Sequence, residues 1–231
     1  MNAHTKHLID IDNISILAVM ATDNEHIGKL KDLCPDPFIT GVGPINAATA
    51  LTHYLTSHEP TLPDLILCIG SAGSFTLEQG EIYQASRIRS NVVNAQAIGF
   101  DQGATPFCTM PDTFKSSIDL PHLPKASLQT SGEFISGGAD AFKQVKADMA
   151  DMESYAVECV AARFGITTIH MRGVSDGKEE SKKFEDWTAL LESLGEKLGD
   201  AAEQLFSMIR DGSITKDQLA RDANGWNFYQ A

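Results

Sequence analysis

Short apolar runs separated by segments with helical periodicity make up most of the chain. The runs are rich in β-branched residues and too short for buried helices, so they predict strands at residues 14–20, 37–40, 63–69, 127–130 and 166–171. Apolar positions at helical spacing predict helices at residues 26–33, 45–57 and 187–209, and another between Asp151 and Gly165. Weak alternation of apolar and polar residues at 80–100 predicts two further short strands. Residues 101–125 predict a long loop that serves as a lid or a subunit contact.

Strands that alternate with helices predict an α/β fold. We expect a single three-layer domain with a mixed, mostly parallel twisted central sheet that is flanked by helices. At 231 residues the chain suits one large domain better than two small ones. The predicted domain spans residues 14–210, with residues 1–13 as an N-terminal extension and residues 211–231 as a polar tail that we expect to be poorly ordered.

Composition and charge narrow the partners and the compartment. A net charge of −13 disfavours nucleic acid and anionic membranes, since both would be repelled. Residues 1–13 lack the apolar core of a signal peptide, and no apolar run approaches the length of a membrane span, so we expect a cytoplasmic protein with no membrane partner. The four cysteines and seven histidines show no metal-ligand spacing, so we expect no metal and no other cofactor.

Polar residues and glycines follow several of the predicted strands. Arg172, Ser175 and Asp176 follow the strand at 166–171, and glycine turns at 41–43 and 70–73 follow two others. Ligands of open α/β sheets bind outside the carboxyl ends of the strands, so this placement predicts a binding crevice. Neither glycine turn matches a dinucleotide or triphosphate motif. Taken alone, Asp176 is better explained as a helix cap, and Arg172 is also compatible with an ion pair.

Six short motifs occur in a fixed order along the chain. They are Val19-Met20-Ala21-Thr22-Asp23, Thr40-Gly41-Val42-Gly43-Pro44-Ile45, Ile69-Gly70-Ser71-Ala72-Gly73, Ser131-Gly132-Glu133-Phe134-Ile135, Asp151-Met152-Glu153-Ser154 and Arg172-Gly173-Val174-Ser175-Asp176. Together they resemble the purine nucleoside phosphorylase and nucleosidase superfamily, with the 5′-methylthioadenosine/S-adenosylhomocysteine nucleosidases as the most similar branch. The resemblance runs from about residue 14 to about residue 209 and implies a nucleoside phosphorylase-like fold.

The resemblance implies a role for each matching residue. Asp176 is the general acid that protonates purine N7 as the glycosidic bond breaks, which requires a carboxyl with a raised pKa. Glu153 accepts hydrogen bonds from the ribose hydroxyls, with Met152 packed against the sugar, and Arg172 lies near the sugar or orients Glu153. Taken alone, Glu153 also fits an acid in the first turn of a helix.

The remaining substrate contacts are also implied by the resemblance. Phe134 stacks on the purine and the Ile135 backbone reads the edge of the base, although a phenylalanine in a glycine-flanked loop equally fits a core position. Phe184 belongs to an aromatic lid together with Trp187. The rest of the implied binding set is Ser71, Val42, Met20 and Ser175.

The residue that activates the attacking water has two candidates. In the nucleosidases of this family a glutamate stands three residues after the methionine that ends the first strand. That position is Asp23 here, one methylene shorter, and Glu25 follows two residues later. We favour Asp23 on register and keep Glu25 as the alternative.

Hydrolysis is favoured over phosphorolysis because fixed cations for phosphate are missing. The hexameric phosphorylases carry an arginine where this chain has Cys68, and residues 20–31 contain no arginine. Asp176 favours an adenine base, so we expect hydrolysis of 5′-methylthioadenosine or S-adenosylhomocysteine. The changed segment Asn91-Val92-Val93-Asn94 leaves the 5′ substituent open. Alternatives are a phosphorylase or nucleosidase for adenosine, inosine or futalosine, and a non-catalytic nucleoside-binding protein.

The family also implies a homodimer whose partner subunit helps to close the 5′ pocket. Ile98, Phe100, Pro106 and Phe107 resemble the segment that crosses over to the neighbour. A position in the local core explains the same residues nearly as well.

Overall fold

Strands and helices alternate along most of the chain. A computed structural model describes residues 7–108, 110–180 and 183–220. The strands in this part are β1 (Leu8–Ile11), β2 (Ile14–Met20), β3 (Phe38–Ile39), β4 (Leu65–Gly73), β5 (Ile82–Ser90), β6 (Thr113–Lys115), β7 (Lys125–Thr130), β8 (Met149–Asp151) and β9 (Thr167–Asp176). The helices are α1 (Leu30–Leu33), α2 (Pro44–His58), α3 (Gly138–Phe142), α4 (Ser154–Phe164), α5 (Phe184–Thr188), α6 (Leu191–Arg210) and α7 (Lys216–Leu219).

The strands form a mixed sheet that partly closes on itself. β4 lies between β2 and β9 and runs parallel to both, with Leu65 opposite Ile16 and Thr167. β4 also pairs with β8, and the path β8–β7–β5–β9 leads back to β4, so five strands close a ring. Among the described strands five pairings are parallel and four are antiparallel. An α/β fold with a mixed sheet is confirmed; the ring was not predicted, and the three-layer, mostly parallel form stays a prediction.

The strand predicted at residues 166–171 extends further along the chain in the structure. It continues to Asp176 because β4 and β5 both pair with its second half, where Gly173 lies opposite Ser71 and Ile82. Arg172 therefore lies within the strand and not beyond its end. The prediction that the functional side chains follow the strand is corrected in this respect: they project from its carboxyl-terminal half.

Three other elements differ from their predicted bounds. Residues 82–90 form one strand instead of two. The helix predicted at 26–33 is replaced by a 3₁₀ turn at Asp23–Glu25 and the short α1, because Gly28 between them has a φ of 58°. The helix predicted at 187–209 is divided into α5 and α6.

The packed fold extends past both predicted domain boundaries. β1, which lies in the predicted N-terminal extension, pairs antiparallel with β2. Past residue 210, Ile214 and Leu219 are buried in the core, and Leu219 accepts a hydrogen bond from Thr167 Oγ1 at 2.7 Å. The prediction of poor order was therefore wrong for residues 211–220. Residues 1–6 and 221–231 of the predicted extension and tail lie outside the described residues.

The core occupies both faces of the sheet. Successive side chains of a strand point to opposite faces, and in β2 this places Ile16 with Phe206 of α6 on one face and Leu17 with Leu51 of α2 on the other. The carboxyl ends of β2, β4 and β9 remain between these two layers. No described helix has the length and apolar character needed to cross a membrane.

Candidate active site

A cavity of about 580 Å³ lies at the carboxyl ends of β2, β4 and β9. Its size is in the range of small-molecule sites. It brings together twelve of the thirteen predicted site residues: Met20, Glu25, Val42, Ser71, Phe134, Ile135, Met152, Glu153, Arg172, Ser175, Asp176 and Phe184. These residues come from distant parts of the chain, and the sheet is what assembles them.

Glu25 reaches the cavity from the 3₁₀ turn that follows β2. Thr22 caps this turn, with its Oγ1 accepting from the Asn24 N–H at 3.3 Å. The Glu25 side chain is buried, and its Oε1 accepts from the Ser71 backbone N–H at 2.7 Å and from Ser71 Oγ at 2.6 Å. Burial raises the pKa of Glu25, although the Ser71 hydrogen bonds and Arg172 oppose the rise.

Asp23, which we favoured on register, does not line the cavity. It is exposed on the outer side of the 3₁₀ turn, two residues before the buried Glu25. Register along an extended strand does not continue through a helical turn, because each residue of a turn rotates the side-chain direction. The preference for Asp23 over Glu25 was therefore wrong as to position. Of these two carboxylates, Glu25 is the one that faces the cavity.

Asp176 is the last residue of β9 and points into the same cavity. Its Oδ2 accepts from Ser175 Oγ at 2.6 Å, and its buried Oδ1 has no hydrogen-bond partner among the described residues. Burial raises the pKa of Asp176, and the hydrogen bond from Ser175 opposes the rise only in part. No helix starts here in the described chain, so the helix-cap explanation does not apply. A buried carboxyl oxygen without a partner is unusual and points to a ligand or a proton-transfer role.

Glu153 sits immediately before α4 and faces the glycine turn that follows β3. Its Oε1 accepts from the Gly43 backbone N–H at 2.7 Å, in a turn where Gly43 has a φ of 95° that favours glycine. Its side chain makes no capping hydrogen bond to α4. Burial, and next the charge of Asp151, raise the pKa of Glu153 to about 8.

Arg172 forms a buried ion pair with Asp151, which agrees with the ion pair that we considered for it, while its role toward Glu153 stays a prediction. Its Nε and Nη2 lie 3.2 and 3.0 Å from Asp151 Oδ2, and Nη2 donates to Ser154 Oγ at 2.6 Å. Nη1 donates to the carbonyl oxygens of Cys68 and Met171 at 3.1 and 3.0 Å. The guanidinium thus borders the cavity with its donors largely directed at protein groups.

Two aromatic side chains present exposed surface to the cavity. Phe134 is 50% exposed and Phe184 is 60% exposed, and both line it, so the core position considered for Phe134 is wrong. Trp187 follows Phe184 on α5 at a ring-centroid distance of 5.3 Å and donates from Nε1 to Ser71 Oγ at 3.1 Å. Exposed rings at a cavity wall suit the stacking of a planar base.

Sequence reasoning missed the partners that hold these groups. Asp151, which pairs with Arg172, lies in a three-residue strand too short to show a pattern. Thr40 and Cys68 also line the cavity, at the ends of strands that were predicted without assigning these side chains a role. In the described part of the chain no three His, Cys, Asp or Glu side chains are arranged to hold a metal ion.

The chain resembles known proteins in sequence and in fold. Residues 2–207 match the family model of the Phosphorylase superfamily. The 5′-methylthioadenosine/S-adenosylhomocysteine nucleosidase of a Marinomonas species is 30% identical over 169 residues, which are 64% of this chain and 71% of that protein.

Two solved structures share the fold at low sequence identity. A futalosine hydrolase mutant of Helicobacter pylori superposes with a TM-score of 0.71 at 15% identity, over 83% of this chain and 98% of the other. The 5′-methylthioadenosine/S-adenosylhomocysteine nucleosidase of Campylobacter jejuni superposes with a TM-score of 0.67 at 18% identity, over 85% and 98%. With a family match over most of its length and a cavity that collects the matching motifs, the chain belongs to the Phosphorylase superfamily.

Proposed function

We propose that the protein hydrolyses the N-glycosidic bond of an adenine nucleoside such as 5′-methylthioadenosine or S-adenosylhomocysteine. One observation carries the proposal: two buried carboxyl groups, Glu25 and Asp176, border the same nucleoside-sized cavity, and Asp176 Oδ1 has no partner among the described residues. The names of the related nucleosidases support the same reaction class.

The two carboxyl groups reach the cavity beside different positions of β4. Gly70 lies against Glu25, and Gly73 lies against Asp176. One carboxyl group can therefore act as the acid and the other as the base on the same bound substrate.

In the proposed reaction Asp176 donates its proton to purine N7. The bond between the anomeric carbon and N9 breaks, and its electron pair stays with the departing adenine. A water held by Glu25 attacks the anomeric carbon and gives its proton to the Glu25 carboxylate. The burial that raises the pKa of Asp176 keeps this donor protonated to higher pH than a free aspartate.

We assign to the residues of the cavity wall the binding roles that the family resemblance implies. Glu153 and Met152, at the start of α4, are placed to contact the ribose, with the Gly43 N–H fixing one oxygen of Glu153. Phe134 and Ile135 form the wall for the base, and Phe184 covers it from α5. Val42 and Met20 supply apolar surface beside the sugar. Ser175, whose hydroxyl is bonded to Asp176, steadies the proton donor.

The charges in the cavity support water over phosphate as the attacking group. Arg172 and Lys183 are the cations among its described lining residues. Arg172 directs its donors to Asp151, Ser154 and backbone carbonyls, and Lys183 is exposed immediately before α5. A phosphate dianion would instead need free, convergent donors. Glu25 and Glu153, the acidic groups of the same cavity, add no positive charge.

Base release tests this proposal directly. We would measure release from 5′-methylthioadenosine, S-adenosylhomocysteine, adenosine and inosine, each with and without inorganic phosphate. Phosphate-independent release of adenine is expected. Release that requires phosphate would establish a phosphorylase, and absence of release from all adenine nucleosides would favour a binding protein.

Futalosine is the second candidate substrate. The structural similarity to a futalosine hydrolase supports it, and so does a second cavity of about 210 Å³ that shares Glu133, Phe134 and Ile135 with the first. Asn91 and Gln129 line this second cavity and give it a polar wall. Adding futalosine to the substrate series ranks it against 5′-methylthioadenosine by kcat/KM.

We also propose a cytoplasmic homodimer that acts in nucleoside catabolism and methionine salvage, with no nucleic-acid or membrane partner. The four cysteines are free thiols, which suits a reducing compartment. Ile98 and Phe107 are 69% and 85% exposed, so these two do not belong to the local core that we had considered for them. Sedimentation velocity of the wild type and of Phe107→Asp tests the dimer: a monomeric variant is expected, and a monomeric wild type would contradict the proposal.

A further inference from the structure

A chain of hydrogen bonds joins the helix at the cavity mouth to the buried carboxylate of Glu25. Trp187 Nε1 on α5 donates to Ser71 Oγ at 3.1 Å. Ser71 Oγ then donates to Glu25 Oε1 at 2.6 Å. All three side chains line the same cavity.

The direction of this chain is fixed by its donor groups. An indole ring has one N–H and no acceptor, so Trp187 can only donate. Ser71 Oγ must therefore accept from the indole, and its single hydrogen remains for Glu25. A serine hydroxyl without such a donor rotates to suit its surroundings. The indole thus removes the alternative in which the Ser71 hydroxyl donates its hydrogen at this position and turns away from Glu25.

The same contact fixes which oxygen of Glu25 is free. Oε1 accepts from both the backbone N–H and the hydroxyl of Ser71, whereas Oε2 makes no hydrogen bond to a described residue. We infer, on the basis of the proposed function, that Trp187 is a positioning residue: it orients Ser71 so that Glu25 offers Oε2 to the attacking water. Trp187 itself need not touch the substrate for this effect.

The inference links closure of the cavity to its chemistry. Phe184 and Trp187 lie on α5, and their rings meet edge to face. Phe184 covers the cavity wall, while Trp187 reaches down to Ser71. The same short helix therefore supplies both the ring that covers the base and the N–H that orients the Ser71 hydroxyl.

Other charges act on Glu25 and must be held constant in a test. Arg172 of β9 lowers the pKa of Glu25, Asp151 of β8 raises it, and Glu153 stands across the same cavity. Trp187→Phe leaves all three in place. It keeps an aromatic ring of similar shape and removes the N–H, so it is the smallest available change to the hydrogen bond.

A double-mutant cycle with Trp187→Phe and Ser71→Ala tests the inference. In the wild-type background Trp187→Phe should lower kcat for adenine release by about 3- to 10-fold, the scale of one hydrogen bond, with KM changed less than about 2-fold. It should also move the ascending limb of the kcat–pH profile upward by about half a pH unit, since Glu25 loses an oriented donor. In the Ser71→Ala background the same substitution should change kcat by less than about 1.5-fold, because the relay is already broken. Equal effects in both backgrounds would show that Trp187 acts through packing alone and would overturn the inference.

The indole N–H gives a readout that does not depend on activity. In protein labelled with ¹⁵N-tryptophan, the Trp187 Nε1–H resonance is assigned by its absence from Trp187→Phe, which separates it from Trp226. Ser71→Ala should shift this resonance and speed its exchange with solvent, and Phe184→Leu should leave its protection largely intact. An unchanged resonance in Ser71→Ala would overturn the inference. A wild type that releases no adenine would contradict the proposed function instead, and the resonance would still decide whether the contact exists.

Discussion

Ser71 donates to one and the same oxygen of Glu25 through both its backbone N–H, at 2.7 Å, and its hydroxyl, at 2.6 Å. Two donors on Oε1 hold the carboxylate in one orientation and leave Oε2 for a ligand. A Cβ at position 70 would lie 3.2 Å from Oε2, so a side chain there would push against the carboxylate. The glycine turn predicted at residues 70–73 is therefore wrong as to conformation: Gly70 lies within β4, against the Glu25 carboxylate.

Glu25 and Asp23 form a matched pair of variants. Glu25→Gln should lower kcat by about 10²-fold or more, because an amide cannot take the proton of the attacking water. Asp23→Asn should change kcat less than about 2-fold, since its exposed side chain lies outside the cavity. Both rates are read from adenine release at saturating nucleoside. The reverse ranking would restore Asp23 as the water-activating residue.

Asp176→Asn should abolish most turnover while preserving binding. Asparagine keeps the shape and can still accept from Ser175, but it cannot protonate N7, so a loss of about 10²–10⁴-fold in kcat is expected. Calorimetric titration with the unreacted nucleoside checks that the variant still binds. Full activity in Asp176→Asn would rule out the proposed acid.

The pH profile of kcat should be bell-shaped. Its two limbs should lie at higher pH than the usual pKa values of glutamate and aspartate side chains. Glu25 must be ionised to accept a proton, so activity falls as the pH drops through its raised pKa. Asp176 must be protonated, so activity falls as the pH rises through its own raised pKa. Glu153 also titrates, with a pKa of about 8. A profile measured in Glu153→Gln therefore separates its contribution, and a flat alkaline limb in both proteins would contradict the assignment of Asp176.

Glu153 should make the fold less stable as the pH rises. Its pKa is raised from 4.5 to about 8, so the folded protein binds a proton that the unfolded chain has lost between these values. The stabilisation is complete below pH 4.5 and disappears as the pH rises through about 8. Thermal unfolding of Glu153→Gln should therefore depend less on pH in this window than that of the wild type. Glu192→Gln, which removes an exposed carboxylate from α6, is the control and should follow the wild-type curve.

Arg172→Met should be strongly destabilising. It leaves Asp151 as a buried charge that keeps only the hydrogen bonds from Thr130 Oγ1 and the Ser154 N–H, so a cost of about 3–5 kcal/mol in the free energy of unfolding is expected. Lys125→Met breaks an exposed ion pair with Asp119 and should cost about 1 kcal/mol or less. Urea unfolding compares the two, and equal costs would mean that the buried pair contributes no more than a surface one.

Site residues could be predicted where the residue and its neighbours along the chain form a recognisable motif. Asp176, Glu153 and Phe134 lie in motifs that are continuous in sequence, and all three line the cavity. The choice between Asp23 and Glu25 was not predictable in this way, because a 3₁₀ turn changes which side chain faces inward. The Asp151–Arg172 pair and the Trp187–Ser71 contact join residues that are far apart in the chain. Local sequence patterns therefore cannot predict them.

The sequence by itself determined the α/β class, the main strands and the identity of most side chains at the carboxyl ends of those strands. Apolar periodicity is a local property and persists in the folded chain, whereas the glycine turn predicted at residues 70–73 is part of β4. Only the tertiary structure decided how far β9 extends, how β5 and β9 help to close a ring, and which carboxylate faces the cavity. These features depend on pairing and burial between distant segments, whose free energy is gained only once the segments meet.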